Sequence, residues 1–245
     1  MADELRRAFK FMASADMLGT SVEPALGGLA VRFPELPLRQ DSNYLLVDRT
    51  EVPAVELAQE VERLALRAVF VREPSTGVRL EREFETLGWS VHRGLVMAHR
   101  RAPAREPGPA PVSDVGERAL QPLRRRTTLS YPWGTPELAD QLLQAKALIA
   151  RRVETHFLAV TVDGEIAAYA DLYLADHTAQ IEDVFTVPEH RNRGYASALV
   201  LDALDRAREA RADLVFLAAD ADDWPRLLYE RLGFDVIGGY SKFFT

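Results

Sequence analysis

Apolar residues recur along this chain with two periods, and the switches between them mark the elements. From Tyr195 to Ala210 the positions Ala196, Leu199, Val200, Ala203, Leu204 and Ala207 fall at helical spacing, the stripe of a helix that buries one side. Leu214-Val215-Phe216-Leu217 is a continuous apolar run, as expected of a strand covered on both faces. His156–Val162 and Glu165–Leu174 read as strands joined by Asp163-Gly164, a strong hairpin signal. Gln180–Val187 is the next strand, Trp224–Leu232 a helix ended by Gly233, and Asp235–Phe244 a closing strand. Pro136–Val153 is a helix that precedes them.

The N-terminal part is patterned in the same way. Asp3–Ala15 and Pro53–Leu66 read as helices, the second with proline near its start, where a missing N–H costs little. Tyr44–Val47 and Ala68–Val71 are short strands. Val78–Leu87 is a helix with Leu80, Phe84 and Leu87 on one face and Gly88 at its end; Trp89–Met97 is a strand. Val69-Phe70-Val71 followed by Phe84-Glu85-Thr86-Leu87-Gly88-Trp89 echoes Val215-Phe216-Leu217 followed by Tyr229-Glu230-Arg231-Leu232-Gly233-Phe234. Both read strand, loop, helix, Leu-Gly-aromatic, which points to a duplicated unit.

Composition adds a boundary. Ala102 to Pro111 holds four prolines, which remove donors and favour extended backbone. The expected division is an N-terminal domain over 1–101, a linker over 102–111 and a second domain over 112–245. The chain has 245 residues, 47% hydrophobic and 27% charged, enough apolar material for two small cores. A net charge of −7 argues against a nucleic-acid partner. With no cysteine, disulfides, thiolate metal ligands and a cysteine nucleophile are excluded, and no metal site is expected. Met1–Phe11 lacks a signal-peptide apolar core and no run is long enough for a membrane span. The expected compartment is the cytoplasm, with no membrane partner.

The segment that carries chemistry is Val187-Pro188-Glu189-His190-Arg191-Asn192-Arg193-Gly194-Tyr195-Ala196. A strand ends and a helix begins here, and Arg191, Gly194 and Ala196 have the spacing R-x-x-G-x-A. Gly194 permits backbone angles other residues avoid. The first helical N–H groups lack intrahelical partners and face an anion, such as a diphosphate. Ala196 leaves room above the helix start, and Arg191 and Arg193 add positive charge. His190 reads as a surface residue of the turn. Neither a dinucleotide fingerprint nor a Walker loop is present.

The pattern V-x-P-x-x-R-x-R-G-x-A resembles the acetyl-CoA signature of the GCN5-related N-acetyltransferase (GNAT) superfamily. Leu228-Tyr229-Glu230-Arg231-Leu232-Gly233-Phe234 looks like the closing helix motif of the same superfamily. The resemblance covers Val112 to Thr245. It implies the GNAT fold, an α/β (α+β) architecture in which a mixed, mostly antiparallel twisted sheet is flanked by helices. The N-terminal half resembles a smaller, degenerate GNAT-like unit with no pyrophosphate turn and Phe84 in the tyrosine's place.

The resemblance further implies acetyl-CoA as acetyl donor, threaded between splayed strands Gln180–Val187 and Leu214–Ala218. Backbone groups of Phe185, Thr186 and Val187 would hold acetyl and pantetheine. Arg191, Asn192, Arg193, Gly194, Tyr195, Ala196 and Ser197 would hold the pyrophosphate. Many members have an asparagine seven positions before the tyrosine; Asp222 stands there instead, which leaves its cofactor contact open. The implied activity is transfer of acetyl to a primary amine, a small-molecule acceptor being expected, by direct attack in a ternary complex.

A phenol suits protonation of the leaving thiolate, and the motif puts Tyr229 in that role. Glu182 and Asp183 are both candidates for the base. Strand alternation sets them on opposite faces, unless a bulge resets the parity. Asp171 and Tyr173 on the neighbouring strand could line the acceptor side. Arg124-Arg125-Arg126 reads as a solvated edge. Two alternatives stay open: a non-catalytic acyl-CoA-binding regulatory protein, and transfer to a protein N-terminus or lysine.

Overall fold

A computed structural model describes residues 2–16, 21–104 and 110–244. Its N-terminal elements are α1 (Ala2–Asp16), β1 (Ser21–Ala25), β2 (Gly28–Arg32), β3 (Tyr44–Val47), α2 (Ala54–Arg63), β4 (Ala68–Val71), α3 (Pro74–Thr86) and β5 (Ser90–His99). These are followed by β6 (Ser113–Asp114), α4 (Glu117–Leu129), α5 (Pro136–Ile149), β7 (Glu154–Val162) and β8 (Glu165–Ala175). The chain closes with β9 (Thr178–Thr186), α6 (Tyr195–Glu209), β10 (Leu214–Asp220), α7 (Pro225–Arg231) and β11 (Phe234–Phe244).

Among the described residues these strands form one eleven-stranded sheet in the order β1-β2-β3-β4-β11-β5-β10-β9-β8-β7-β6. Only β3–β4 and β9–β10 are parallel pairs; every other neighbouring pair is antiparallel. This is the mixed, mostly antiparallel sheet flanked by helices that the motifs imply.

The last strands of the two halves are exchanged. β5, from the N-terminal half, lies antiparallel to β10, while β11 crosses to pair with β4. The two exchanged strands pair with each other from Phe234↔His99 to Phe244↔Ser90, with one bulge at Val236–Gly238. The sheet therefore runs without interruption across the expected domain boundary. Residues 105–109 of the proline-rich linker lie outside the described residues. Its ends are attached: the Ala104 N–H donates to the Arg231 carbonyl at 2.8 Å, and Ala110 packs against the C-terminal core.

Alternation along β5 and β10 splits the core between the two faces. Met97 and Leu217 join α6 residues Leu199, Val200, Ala203 and Leu204, together with Tyr229 and Phe234, on one face. Val96, Ala98 and Phe216 meet Phe9 and Phe11 of α1 and Ile149 of α5 on the other. In the N-terminal half, Leu45, Val47, Val69 and Val71 pack under α2 and α3, where Phe84 stacks on Phe243 with ring centroids 4.5 Å apart.

Two features escape the sequence pattern. The hairpin β1–β2 carries Pro24, a residue tolerated on an edge strand. Helix α4 has Pro122 inside it, which by itself argues for a break. Burial of Leu120 and Leu123 against Phe157 and Tyr169 holds α4 in place.

Candidate active site

Strands β9 and β10 pair only from Leu214↔Thr178 to Leu217↔Ile181, although both continue further. Beyond Ile181 they splay, and β10 turns its bonding to β5 as far as Asp220↔Gly94. The side of β9 facing β10 is thus left without a partner strand over 182–186. Peptide N–H groups alternate along a strand. The Val187 N–H donates to the Ala167 carbonyl at 2.9 Å, so those of Thr186 and Val184 turn toward the crevice. Val184 is a contributor that the sequence reading did not single out.

At the end of the crevice the backbone turns into α6. Asn192 (φ 60°) and Gly194 (φ 82°) are both left-handed, and a Cβ on Gly194 would meet no atom within 4 Å. The first intrahelical bond runs from the Ala198 N–H to the Gly194 carbonyl. The N–H groups of Tyr195, Ala196 and Ser197 therefore have no helical partner. They border a cleft of about 710 Å³, lined also by Phe185, Thr186, His190, Arg191, Asn192, Trp224 and Tyr229. His190 is half-buried there rather than lying on an open surface.

Other residues fall outside this cleft. Val187 spends its N–H on β8, Arg193 donates to the Glu189 carbonyl at 3.4 Å, and Asp222 pairs with Arg93 at 2.8 Å. The Arg93 carbonyl also accepts the Ala221 N–H, so an N-terminal strand fixes the loop that leads into α7.

Tyr229 is buried at the inner end of the cleft, 6.2 Å from the Phe234 ring. Burial, and then the carboxylates Glu182 and Asp223, push its hydroxyl up to about 12. The phenol therefore keeps its proton at neutral pH.

A bulge sits where the two acids are. β8 advances two residues from Tyr169 to Asp171 while β9 advances three from Phe185 back to Glu182, and Asp183 takes φ 56°. The extra residue brings both acids to one face, correcting the alternation expected above. Glu182 pairs across the sheet with Asp171 and accepts from Gln180 Nε2 at 2.6 Å. Asp183 lies 3.4 Å from both Arg124 Nε and Lys146 Nζ.

These cations belong to a buried network. Asp171 is fully buried and takes Arg124 on one oxygen; the other accepts from Lys146 Nζ at 2.9 Å and the Tyr173 hydroxyl at 3.0 Å. Burial works to raise the Asp171 carboxyl, but Lys146 and Arg124 outweigh it and hold the group below the usual carboxylate range. Burial likewise opposes the Lys146 charge, and Asp171 and Asp183 more than offset it. Arg124, with 6% of its side chain exposed, lies over the rings of Phe157 and Tyr169. It is a core residue, not part of a solvated edge. Its neighbour Arg125 is partly exposed and pairs with Asp140.

The cleft adjoins a second cavity of about 370 Å³ through Tyr131, Val184 and Phe185, and both acids line it. Arg39 and Asp41 reach it from the N-terminal half. Among the described residues there is no group of histidines and carboxylates able to hold a metal ion, and no helix is long and apolar enough to cross a membrane.

Among the described residues the N-terminal half lacks the equivalent crevice. β3 and β4 pair along their whole length, from Tyr44↔Ala68 to Val47↔Val71. Phe84, at the position matching Tyr229, is fully buried.

Comparison with known proteins agrees with this geometry. Residues 119–234 match the family model described as the acetyltransferase (GNAT) family. A Bacillus subtilis (strain 168) protein named as a ribosomal protein bS18-alanine N-acetyltransferase is 22% identical over 120 residues, 49% of this chain and 75% of its own length. Streptothricin acetyltransferase of Streptomyces lavendulae is 35% identical over 85 residues, 34% of this chain and 45% of its own. A GCN5-related N-acetyltransferase from Kribbella flavida has the same fold, with a TM-score of 0.58 at 16% identity over 95% of this chain and 93% of its own. The C-terminal half is a GNAT-superfamily N-acetyltransferase domain, and the N-terminal half adopts a GNAT-like fold.

The residues present suit acetyl-CoA, the donor this family generally uses. The open space before Gly194 and the free N–H groups of α6 fit a diphosphate. The splayed strand edge fits an arm bearing amides.

Proposed function

We propose that the chain transfers acetyl from acetyl-CoA to a primary amine of a small molecule, by direct attack within a ternary complex. The observation that carries this reading is the continuity of the α6 cleft with the cavity lined by Glu182 and Asp183. Bound at the cleft, acetyl-CoA supplies an activated thioester. Backbone N–H groups of Tyr195, Ala196 and Ser197, with Arg191 beside them, hold the diphosphate. The exposed edge of β9 holds the arm, and its Val184 or Thr186 N–H donates to the carbonyl oxygen as negative charge develops there.

The acceptor enters from the second cavity. Glu182 or Asp183 takes the proton from its ammonium form. The amine nitrogen then forms a bond to the acetyl carbon while the carbon–sulfur bond breaks. The acylated nitrogen loses its remaining extra proton to solvent, and Tyr229 gives its own proton to the departing thiolate and recovers one from solvent. The network of Arg124, Lys146 and Asp171 holds Asp183 in place.

The test is thiol release from acetyl-CoA against a panel of primary amines, with Glu182→Gln and Asp183→Asn compared with the wild type. Amine-dependent release that falls at least tenfold in one variant supports the reading. Tight acetyl-CoA binding without release for any amine or amino-terminal peptide favours the regulatory alternative.

A further inference from the structure

Each charged residue that lines the second cavity has a partner within the protein. Arg39 donates to the Ser42 hydroxyl and Asp41 pairs with Lys242. Arg124 and Lys146 pair with Asp171 and lie beside Asp183, and Glu182 takes the Gln180 amide. What these walls leave unmatched is apolar. Tyr131 and Trp133, in the loop joining α4 to α5, stack face to face with ring centroids 4.8 Å apart and planes 6° from parallel. They are 44% and 57% exposed, and both line the cavity together with Leu142, Leu143 and Phe185.

The backbone holds this pair in place. The Tyr131 N–H donates to the Thr128 carbonyl at 3.2 Å, and the Gly134 N–H donates to the Tyr131 carbonyl at 3.0 Å. A Cβ on Gly134 would come within 1.9 Å of the Thr128 carbonyl oxygen, so the turn takes a form that only glycine allows. The rings are therefore presented by a tight turn rather than packed into a core. Each covers one face of the other, and their exposure leaves ring surface on which a further flat group can stack.

We infer that the acceptor is an arylalkylamine: a primary amine on a short chain whose flat aromatic group stacks on the Tyr131–Trp133 pair while its ammonium end reaches Asp183. The inference rests on reading this cavity as the acceptor site, and it names the class of amine that site takes.

Asp183, with 34% of its side chain exposed, keeps lone pairs for a further donor. A volume of about 370 Å³ with mostly apolar walls at one end and a carboxylate at the other suits one ring on a short arm. A diamine would set its second cation against Leu142, Leu143 and Phe185, where it loses water without gaining a partner, or beside Arg124 and Lys146, where like charges disfavour it. An unbranched alkylamine would cover the rings without continuing their stack.

The test is calorimetric titration of amines into the full chain saturated with CoA. The probes are 2-phenylethylamine, tryptamine, 2-cyclohexylethylamine, 1,5-diaminopentane and an alanyl tripeptide. The cyclohexyl compound keeps size and charge but has no π face. The inference predicts that one of the two aryl amines binds about threefold or more tightly than the cyclohexyl amine, the scale of an aromatic stack. It predicts that the same aryl amine binds more tightly than the diamine and the tripeptide. Trp133→Leu should remove the preference for aryl over cyclohexyl, and Trp133→Phe should keep most of it. Trp133 is exposed, so the melting temperature should not move. Equal binding of aryl and cyclohexyl amines would overturn the inference, as would tighter binding of the diamine or the tripeptide, or no binding by any probe. An aryl preference that survives in folded Trp133→Leu would also overturn it. If Trp133→Leu does not fold, the wild-type series and Tyr131→Leu decide. Failure of the acetyltransferase reading is seen separately, as no binding of CoA itself before any amine is added.

Discussion

The Glu83 carboxylate accepts the Ala54 N–H at 2.8 Å, so the start of α2 is closed by a side chain of its own half. Arg79 holds that carboxylate at 2.8 Å and also donates to the Thr50 carbonyl. At the start of α6, by contrast, no side chain among the described residues caps the helix. The same strand–helix unit thus has its anion position filled internally in one copy and open in the other. Acetyl-CoA should bind with a stoichiometry near one per chain, measured by calorimetry. A value near two would show that the N-terminal half also binds it.

Tyr229→Phe should lower turnover at least tenfold at saturating acceptor, within the ~10²–10⁴-fold range of general acid catalysis. Acetyl-CoA affinity should stay within about twofold, since the ring and its packing are kept. Because the hydroxyl is pushed up to about 12, turnover should show no basic limb from this residue at lower pH. Turnover of the variant within twofold of wild type, with chemistry rate-limiting, would rule out the acid role.

Asp171→Asn should destabilise the protein by about 3–5 kcal/mol at pH 7, the usual effect of breaking a buried ion pair from one side. The folded Asp171 carboxyl is held below its ordinary value. Its contribution is therefore complete above the unfolded pKa of about 3.9 and is lost as pH falls through the folded value. The gap between wild type and variant in urea unfolding should narrow below about pH 4. A gap that is constant with pH, or absent at pH 7, would contradict this account of the network.

Much of this arrangement was legible in the sequence, because local patterns carry it. The α6 stripe, the Asp163-Gly164 hairpin and the Leu-Gly-aromatic echo each depend on residues close together in the chain. Strand exchange does not, since β5 and β11 have the same pattern whichever neighbour they choose. Arg124 was misread because a run of three arginines looks solvated; its partner Asp171 is 47 residues away. The bulge at Asp183 gives no local signal either, as aspartate is only one of several residues that tolerate a left-handed backbone. That Arg39 and Asp41 line the second cavity could not be read from the chain, because a long-range seam brings them there.

Strand exchange has its own consequence. Residues 112–245 expressed alone would leave β10 without β5, and β11 without both of its neighbours. That fragment should aggregate or lack a cooperative melting transition, while the full chain melts as one unit. A monomeric fragment that melts cooperatively and binds acetyl-CoA would contradict the structural dependence inferred from the exchange.

The central claim is that the start of α6 receives the diphosphate of acetyl-CoA, and Ala196→Glu tests it most directly. A glutamate in the first helical turn favours the helix itself, so the fold should persist with an unchanged melting temperature. Its carboxylate would face the diphosphate, and like charges about 4 Å apart near a protein surface repel by about 4 kcal/mol. Calorimetric titration of acetyl-CoA should therefore show clear binding to the wild type and at least tenfold weaker binding to Ala196→Glu. Equal affinity in a folded Ala196→Glu protein would contradict the claim.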